Sequence, residues 1–201
     1  IGSYAFPNGP ASIKAWTSLP NDSADGFNHN DTIFYNLIAC SGPFRGVFSL
    51  GTPTSDFPTF ESALFAISNC GIDSAIVFEV APGTYNEQLT LDTVPGASKQ
   101  NTVTFRAANG DSTSVILQYA STNSIYNYVI NFNEADHIFF ENMTISALGP
   151  SYAYVVVFNG EANYNGIKNC IINMPLGYNY YASAFYSAAN SSSYNLIQNN
   201  I

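Results

Sequence analysis

Two carboxylates held at a fixed separation can hydrolyse a glycosidic bond, so the acids are weighed first. Glu134, Asp136, Glu141 and Glu161 lie in one stretch, and Glu134-Ala135-Asp136 is echoed by Glu161-Ala162-Asn163. If equivalent residues stack about 4.8 Å apart, as neighbouring strands do, Glu134 and Glu161 form a pair. Such a pair could raise one carboxyl pKa or hold a cation. Ca2+ is therefore the one cofactor the sequence admits. The plainer reading, which we prefer, is that both residues mark the same solvent-facing turn. A lyase would need a base, and after Arg106 the only Lys or Arg is Lys168. That is little positive charge for a polyanionic sugar. His29 and His137 have no Ser or Cys partner at a recognisable spacing, and a lone His beside a strand is more often structural. No phosphate-cradling Gly-rich loop and no His/Cys/Asp cluster is present. No catalytic residue and no metal site is assigned.

Three cysteines, Cys40, Cys70 and Cys170, show no metal-ligand spacing. Cys40 and Cys70 flank a linker and a helix and are candidates for a disulfide. Cys170 sits in an apolar strand and reads as a small core residue. Tyrosines crowd the C-terminal part. Tyr178-Asn179-Tyr180-Tyr181 cannot all point inward, because strand side chains alternate. Tyr178, Tyr180 and Tyr181 are accordingly the glycan-binding candidates, since exposed Tyr among Asn and Ser suits stacking on neutral sugars or protein contacts. The bland alternative is a long turn whose rings cover the flank of the fold.

Composition narrows the classes. Charged residues make up 9% of the 201, and five Lys plus Arg stand against 14 Asp plus Glu. A nucleic-acid backbone needs clustered cations, which excludes that partner. An anionic membrane surface is equally unsuited. No run of 18 apolar residues occurs, so no membrane insertion is expected. Hydrophobic residues at 46% and aromatics at 15% argue for a packed core. The start at Ile-Gly-Ser-Tyr and the end at Gln198–Ile201, inside a strand-like pattern, read as cuts through a longer protein.

The elements that would position these residues come in three blocks. Residues 1–40 read as the C-terminal strands of an incomplete β-sandwich, with strands at Ala11–Trp16 and Thr32–Ala39 around dense turn chemistry. Residues 41–57 read as a linker punctuated by Gly and Pro. Residues 58–201 begin with a helix over 58–69. Asp56 or Ser55 caps it, Gly71 stops it, and Phe60, Ala63, Leu64 and Ile67 form its apolar stripe.

Beyond about residue 103 the chain repeats. Asn142-Met143-Thr144-Ile145 recurs as Asn169-Cys170-Ile171-Ile172, and Tyr164-Asn165-Gly166-Ile167 as Tyr194-Asn195-Leu196-Ile197. The first pair is 27 residues apart and the second 30, and short strands and polar turns at such a period predict a parallel β-helix. Ile145 and Ile172 would share an interior column. Asn142, Asn169 and Asn199 would share a turn, with their amides bonded along the stack. That accounts for 24 Asn in the chain. The helix would plug the open end of the stack.

Residues 56–201 resemble the right-handed parallel β-helix modules (pectate-lyase-like solenoids) of large secreted Bacteroidota surface proteins. Phe57–Ile67, Val77–Leu89 with Pro82-Gly83-Thr84-Tyr85, Val103-Thr104-Phe105 and the Asn-x-x-Ile units carry this likeness. Residues 4–35, with Ile13-Lys14-Ala15-Trp16-Thr17 and Asn30-Asp31-Thr32-Ile33, resemble the last strands of an Ig-like domain from the same proteins. The resemblance implies export by the type IX system to the outer cell surface. It also implies O-glycosylation where Asp precedes Ser or Thr and then a small or apolar residue, which puts candidates at Ser23, Thr32, Ser74, Thr93 and Ser112. Turn chemistry explains the same pattern without sugar. Pro82–Gln88 is similar to a stretch near the start of pectin methylesterases, but that family's catalytic motifs are not found here.

Taken together, an all-β secreted structural or adhesive module is expected, glycan-binding or self-assembling, leaning away from enzymatic activity. Its partners would be neighbouring domains of the same protein, carbohydrate or further copies. The alternative is a polysaccharide-active lyase or hydrolase of the parallel β-helix class.

Overall fold

The computed structural model describes residues 9–16, 32–175, 181–187 and 192–201. The chain divides into two compact units, Ile1–Gly42 and Pro43–Ile201. In the first, β1 (Gly9–Trp16) and β2 (Thr32–Ala39) pair antiparallel, Gly9 facing Ala39 and Trp16 facing Thr32. Lys14 Nζ lies over the rings of Trp16 and Phe34.

The second unit is a parallel β-helix of about five turns. Its first sheet holds β3 (Phe44–Leu50), β4 (Ile72–Val80), β7 (Val103–Ala107), β10 (Ile138–Glu141), β13 (Gly166–Lys168) and β16 (Leu196–Gln198). The second holds β5 (Gly83–Asn86), β8 (Val115–Tyr119), β11 (Thr144–Ala147) and β14 (Ile171–Asn173). The third holds β6 (Leu89–Leu91), β9 (Ile130–Asn133), β12 (Ala153–Asn159) and β15 (Ala182–Ser187). Each complete coil thus contributes one strand to each sheet. Residues 41–57 are not only a connector: β3 lies within them and pairs in parallel with β4.

Alternation along the strands builds the core. Phe78, Phe105, Phe140 and Ile167 share one inward column of the first sheet and are fully buried. Their rings stack at 4.7 Å from Phe78 to Phe105 and 5.1 Å from Phe105 to Phe140. Each such pair adds about 0.5–1.5 kcal/mol beyond its burial. Ile145 and Ile172 pair across the second sheet, as the repeat requires. In the third, Phe132 stacks on Phe158 at 5.2 Å. The opposite face of the first sheet carries an alternating-charge column in register: Glu79, Arg106, Glu141, Lys168.

The helix α1 runs Phe60–Cys70. Thr59, not Asp56 or Ser55, is its N-cap, in a capping box with Ser62. Asp56 is drawn elsewhere: its carboxylate accepts from the Ser49 amide and hydroxyl, which lowers its pKa. The expected stripe of Phe60, Ala63, Leu64 and Ile67 is buried. Phe60 packs against Tyr85, Phe105 and Phe140, at ring separations of 5.3, 5.5 and 6.5 Å. The first coil also reaches up: Glu87 accepts from the Phe60 and Glu61 amides, two of the donors a helix start leaves unpaired. No helix among the described residues is long and apolar enough to cross a membrane.

Asn142, Asn169 and Asn199 do share a turn position, with φ near 55° in all three. Left-handed backbone is what Asn tolerates best after Gly, so conformation rather than an amide ladder selects them. Their contact along the stack is through the backbone, Asn142 N to Lys168 O and Asn169 N to Gln198 O. The side-chain clamps belong to Asn165, Asn195 and Asn200 instead. Asn165 Oδ1 accepts from Ile138 N and its Nδ2 donates to Ala135 O; Asn195 repeats this on Asn165 N and Ala162 O. Asn200 does the same on Cys170 N and Ile167 O.

Candidate binding surfaces

Five acids of the coils are held in bonds between layers. Glu79 pairs with Arg106 at 2.8 Å, Glu141 with Lys168, and Asp73 with Arg45. Asp136 accepts from Asn163 N, and Asp92 from Asn133 Nδ2. Glu134 and Glu161 do not occupy equivalent places. On the third sheet Asn133 faces Asn159, so Gly160, not Glu161, follows in register with Glu134. Gly160 and Glu134 both have left-handed backbone, φ 65° and 56°, and a Cβ on Gly160 would run into the Glu134 side chain. Glu161 is one extra residue, taken up before Ala135 and Ala162 realign in the buried interior. No cluster of three metal-binding side chains occurs among the described residues.

His137 is not the isolated residue its sequence context suggests. It is the first rung of an aromatic ladder: His137 stacks on Tyr164 at 5.0 Å, and Tyr164 on Tyr194 at 4.9 Å. All three sit at left-handed turn positions one coil apart. The Tyr164 and Tyr194 repeat is visible in the sequence. The first rung is hidden because the residue type changes to His. This ladder borders a groove of about 740 Å3, with Phe139, Leu196 and Lys99 among its lining. Phe139 can lie there because Gly166 faces it across the strands, where a Cβ would collide with the ring. Lys168 Nζ sits 4.9 Å from the Phe139 ring centroid, a cation–π contact added to its pairing with Glu141. Lys99 has no ion-pair partner among the described residues.

Of the glycan-binding candidates, Tyr178 and Tyr180 lie outside the described residues. Tyr181 is 49% exposed and packs on Tyr152 at 5.4 Å. Nearby, Tyr154 stacks on Tyr186 at 4.4 Å. Partial burial, together with the charges that Tyr186 and Tyr181 would carry, pushes the Tyr154 pKa up, so its hydroxyl stays protonated at neutral pH.

Among the glycosylation candidates, Ser23 lies outside the described residues. Thr32 and Thr93 are exposed, and Ser74 and Ser112 are half-buried. The Thr93 hydroxyl donates to Glu134 O at 3.0 Å. Cys170 is a free thiol, buried, with its pKa pushed up to about 11 by that burial. Neither Cys40 nor Cys70 is a free thiol.

No family model and no curated protein sequence matches the chain. Two crystal structures of pectin methylesterase from Aspergillus niger are similar in fold. One is the deglycosylated form, with TM-score 0.37 and 14% identity, covering 80% of this chain and 87% of that one. The other is a penultimately deglycosylated form with an N-acetylglucosamine stub, with TM-score 0.37 and 15% identity, covering 81% and 87%. The likeness concerns the parallel β-helix alone and carries no inference about activity.

Proposed function

We propose that the chain is a non-enzymatic extracellular module, a stiff β-helix that presents neutral aromatic and amide surfaces for adhesion, with carbohydrate as the ligand class. One observation carries this reading. The ionisable side chains along the first sheet are spent on coil-to-coil pairs, Glu79 with Arg106 and Glu141 with Lys168. A depression on the third sheet is instead lined by Tyr and Asn, with Ser124, Ile125 and Val157. Rings bind the apolar faces of sugars and amides bind their hydroxyls, and neither needs charge. In this reading the module sits at the outer cell surface of a large secreted protein. The strands of residues 1–40 belong to an Ig-like neighbour, and Asp-Ser/Thr sites carry O-linked sugar.

The test is retention of the purified chain on insoluble cellulose, xylan and polygalacturonate, with reducing ends and methanol assayed in the same tubes. Retention on a neutral polymer without product supports adhesion. Stoichiometric excess of product over protein would overturn it in favour of a polysaccharide-active enzyme. No retention on any polymer would overturn carbohydrate as the ligand class.

A further inference from the structure

Among the described residues, the buried Asn side chains tie coil to coil with one exception. Asn165, Asn195 and Asn200 each commit both amide atoms to a neighbouring coil. So does Asn127, which accepts from Tyr154 N and donates to Tyr181 O. Asn131, in β9, is only 8% exposed, yet its Oδ1 is buried without a protein hydrogen-bond partner. It is the one buried side-chain polar atom so left among the described residues. A buried polar atom left unpaired costs about 1–3 kcal/mol, so its retention asks for a reason.

Its place supplies one. Flanking Ile130 and Phe132 are fully buried, and Asn131 lines a depression of about 200 Å3 in the third sheet. The stacked pair Tyr154–Tyr186 forms one side of it, and Tyr128, tied to the Thr90 hydroxyl at 2.8 Å, forms another. Among the described residues, no Asp, Glu, Lys, Arg or His lines it. A carboxamide offers two N–H donors and a carbonyl acceptor, and a half-turn about its terminal torsion exchanges which end faces the depression. The matching ligand is uncharged, carries adjacent hydroxyls and has an apolar face for a tyrosine ring.

We propose that this depression is a subsite for one neutral pyranose unit of a polysaccharide, with the Asn131 carboxamide bonding a pair of its hydroxyls. The proposal rests on the carbohydrate reading above and locates it on the third sheet rather than on the His137–Tyr164–Tyr194 ladder.

The test is titration calorimetry of the full chain with cellohexaose, xylohexaose and mannohexaose, and with trigalacturonate as the acidic comparator. Asn131→Leu and Tyr194→Ala are the variants, each with its thermal midpoint measured. At least one neutral hexaose should bind, and trigalacturonate at least 10-fold more weakly. Asn131→Leu should weaken binding at least 10-fold while its midpoint stays level or rises, because an orphan polar group has been removed. A structural amide would lower the midpoint instead. Tyr194→Ala should leave binding unchanged. Binding that survives Asn131→Leu and falls in Tyr194→Ala overturns the subsite and leaves the carbohydrate reading standing. No binding of any neutral hexaose, alongside retention on a neutral polymer, also overturns the subsite. If retention fails too, both fall.

Discussion

Asn165 and Asn195 make the same two hydrogen bonds one coil apart. Each takes an amide N–H from the layer before it, Ile138 N at 3.0 Å and Asn165 N at 2.9 Å. Each also returns an N–H to a carbonyl of that layer, Ala135 O at 2.6 Å and Ala162 O at 2.8 Å. Asn165 is fully buried. Asn165→Ala removes both bonds and strands the Ile138 N–H and the Ala135 carbonyl in the interior. The expected loss is about 2–4 kcal/mol, read as a lowered urea midpoint. The half-buried Asn195 should lose less, since water can reach its partners. Equal losses at the two positions would contradict this account.

Glu87 gives the helix cap a pH dependence. Burial raises its pKa above the ordinary 4.5, outweighing the lowering by the Glu61 and Phe60 amides. A carboxyl with a raised folded pKa holds its proton more tightly in the folded chain. Its contribution to stability is full below 4.5 and is lost as pH rises through the higher folded value. Glu87→Gln keeps an acceptor for the helix amides without the charge. The variant should therefore gain on the wild type as pH rises from 4.5 towards 7, by urea midpoints at unit intervals. A wild type that gains on the variant over that range would show that the charge at the helix start outweighs its burial.

Gly166 and Phe139 should be energetically coupled. Gly166→Ala places a methyl group in the Phe139 ring, and the ring must swing out over the groove. Overpacking of this kind costs about 1–3 kcal/mol. With Phe139→Ala present, the same methyl group meets no ring. The double variant should be less destabilised than the sum of the singles by at least about 1 kcal/mol. Simple additivity in denaturant midpoints would mean that the ring gives way freely.

Cysteine accessibility separates the two classes of thiol. Cys170 is 1% exposed with a pKa pushed up to about 11, so it should resist alkylation at pH 8 until the chain unfolds. Cys40 and Cys70 should remain unlabelled even after unfolding unless reductant is added, as a pair would. Mass spectrometry should count one label without reductant and three with it. Three labels without reductant would exclude the pairing.

A stack of coils must return to the same column each turn, and that demand is written into the sequence. Recurrence of Asn-x-x-Ile and of Tyr-Asn-x-Ile was enough to specify a parallel β-helix and its Ile145–Ile172 column, and apolar residues at helical spacing specified the stripe of Phe60, Ala63, Leu64 and Ile67. Those are properties of side-chain type at a fixed spacing, and burial depends on little else. The first coils were harder to recognise because their length varies: Ile76 pairs with Val103 27 residues on, but Val103 pairs with Ile138 35 residues on. Tertiary structure alone decided which polar groups meet. The one-residue slip between Gly160 and Glu161 parts two acids that the repeat aligns. The same stacking joins His137 to Tyr164 and leaves the Asn131 Oδ1 without a hydrogen-bond partner among the described residues. A hydrogen bond needs its partner within about 3 Å, so it responds to single-residue slips between coils that a hydrophobic column absorbs.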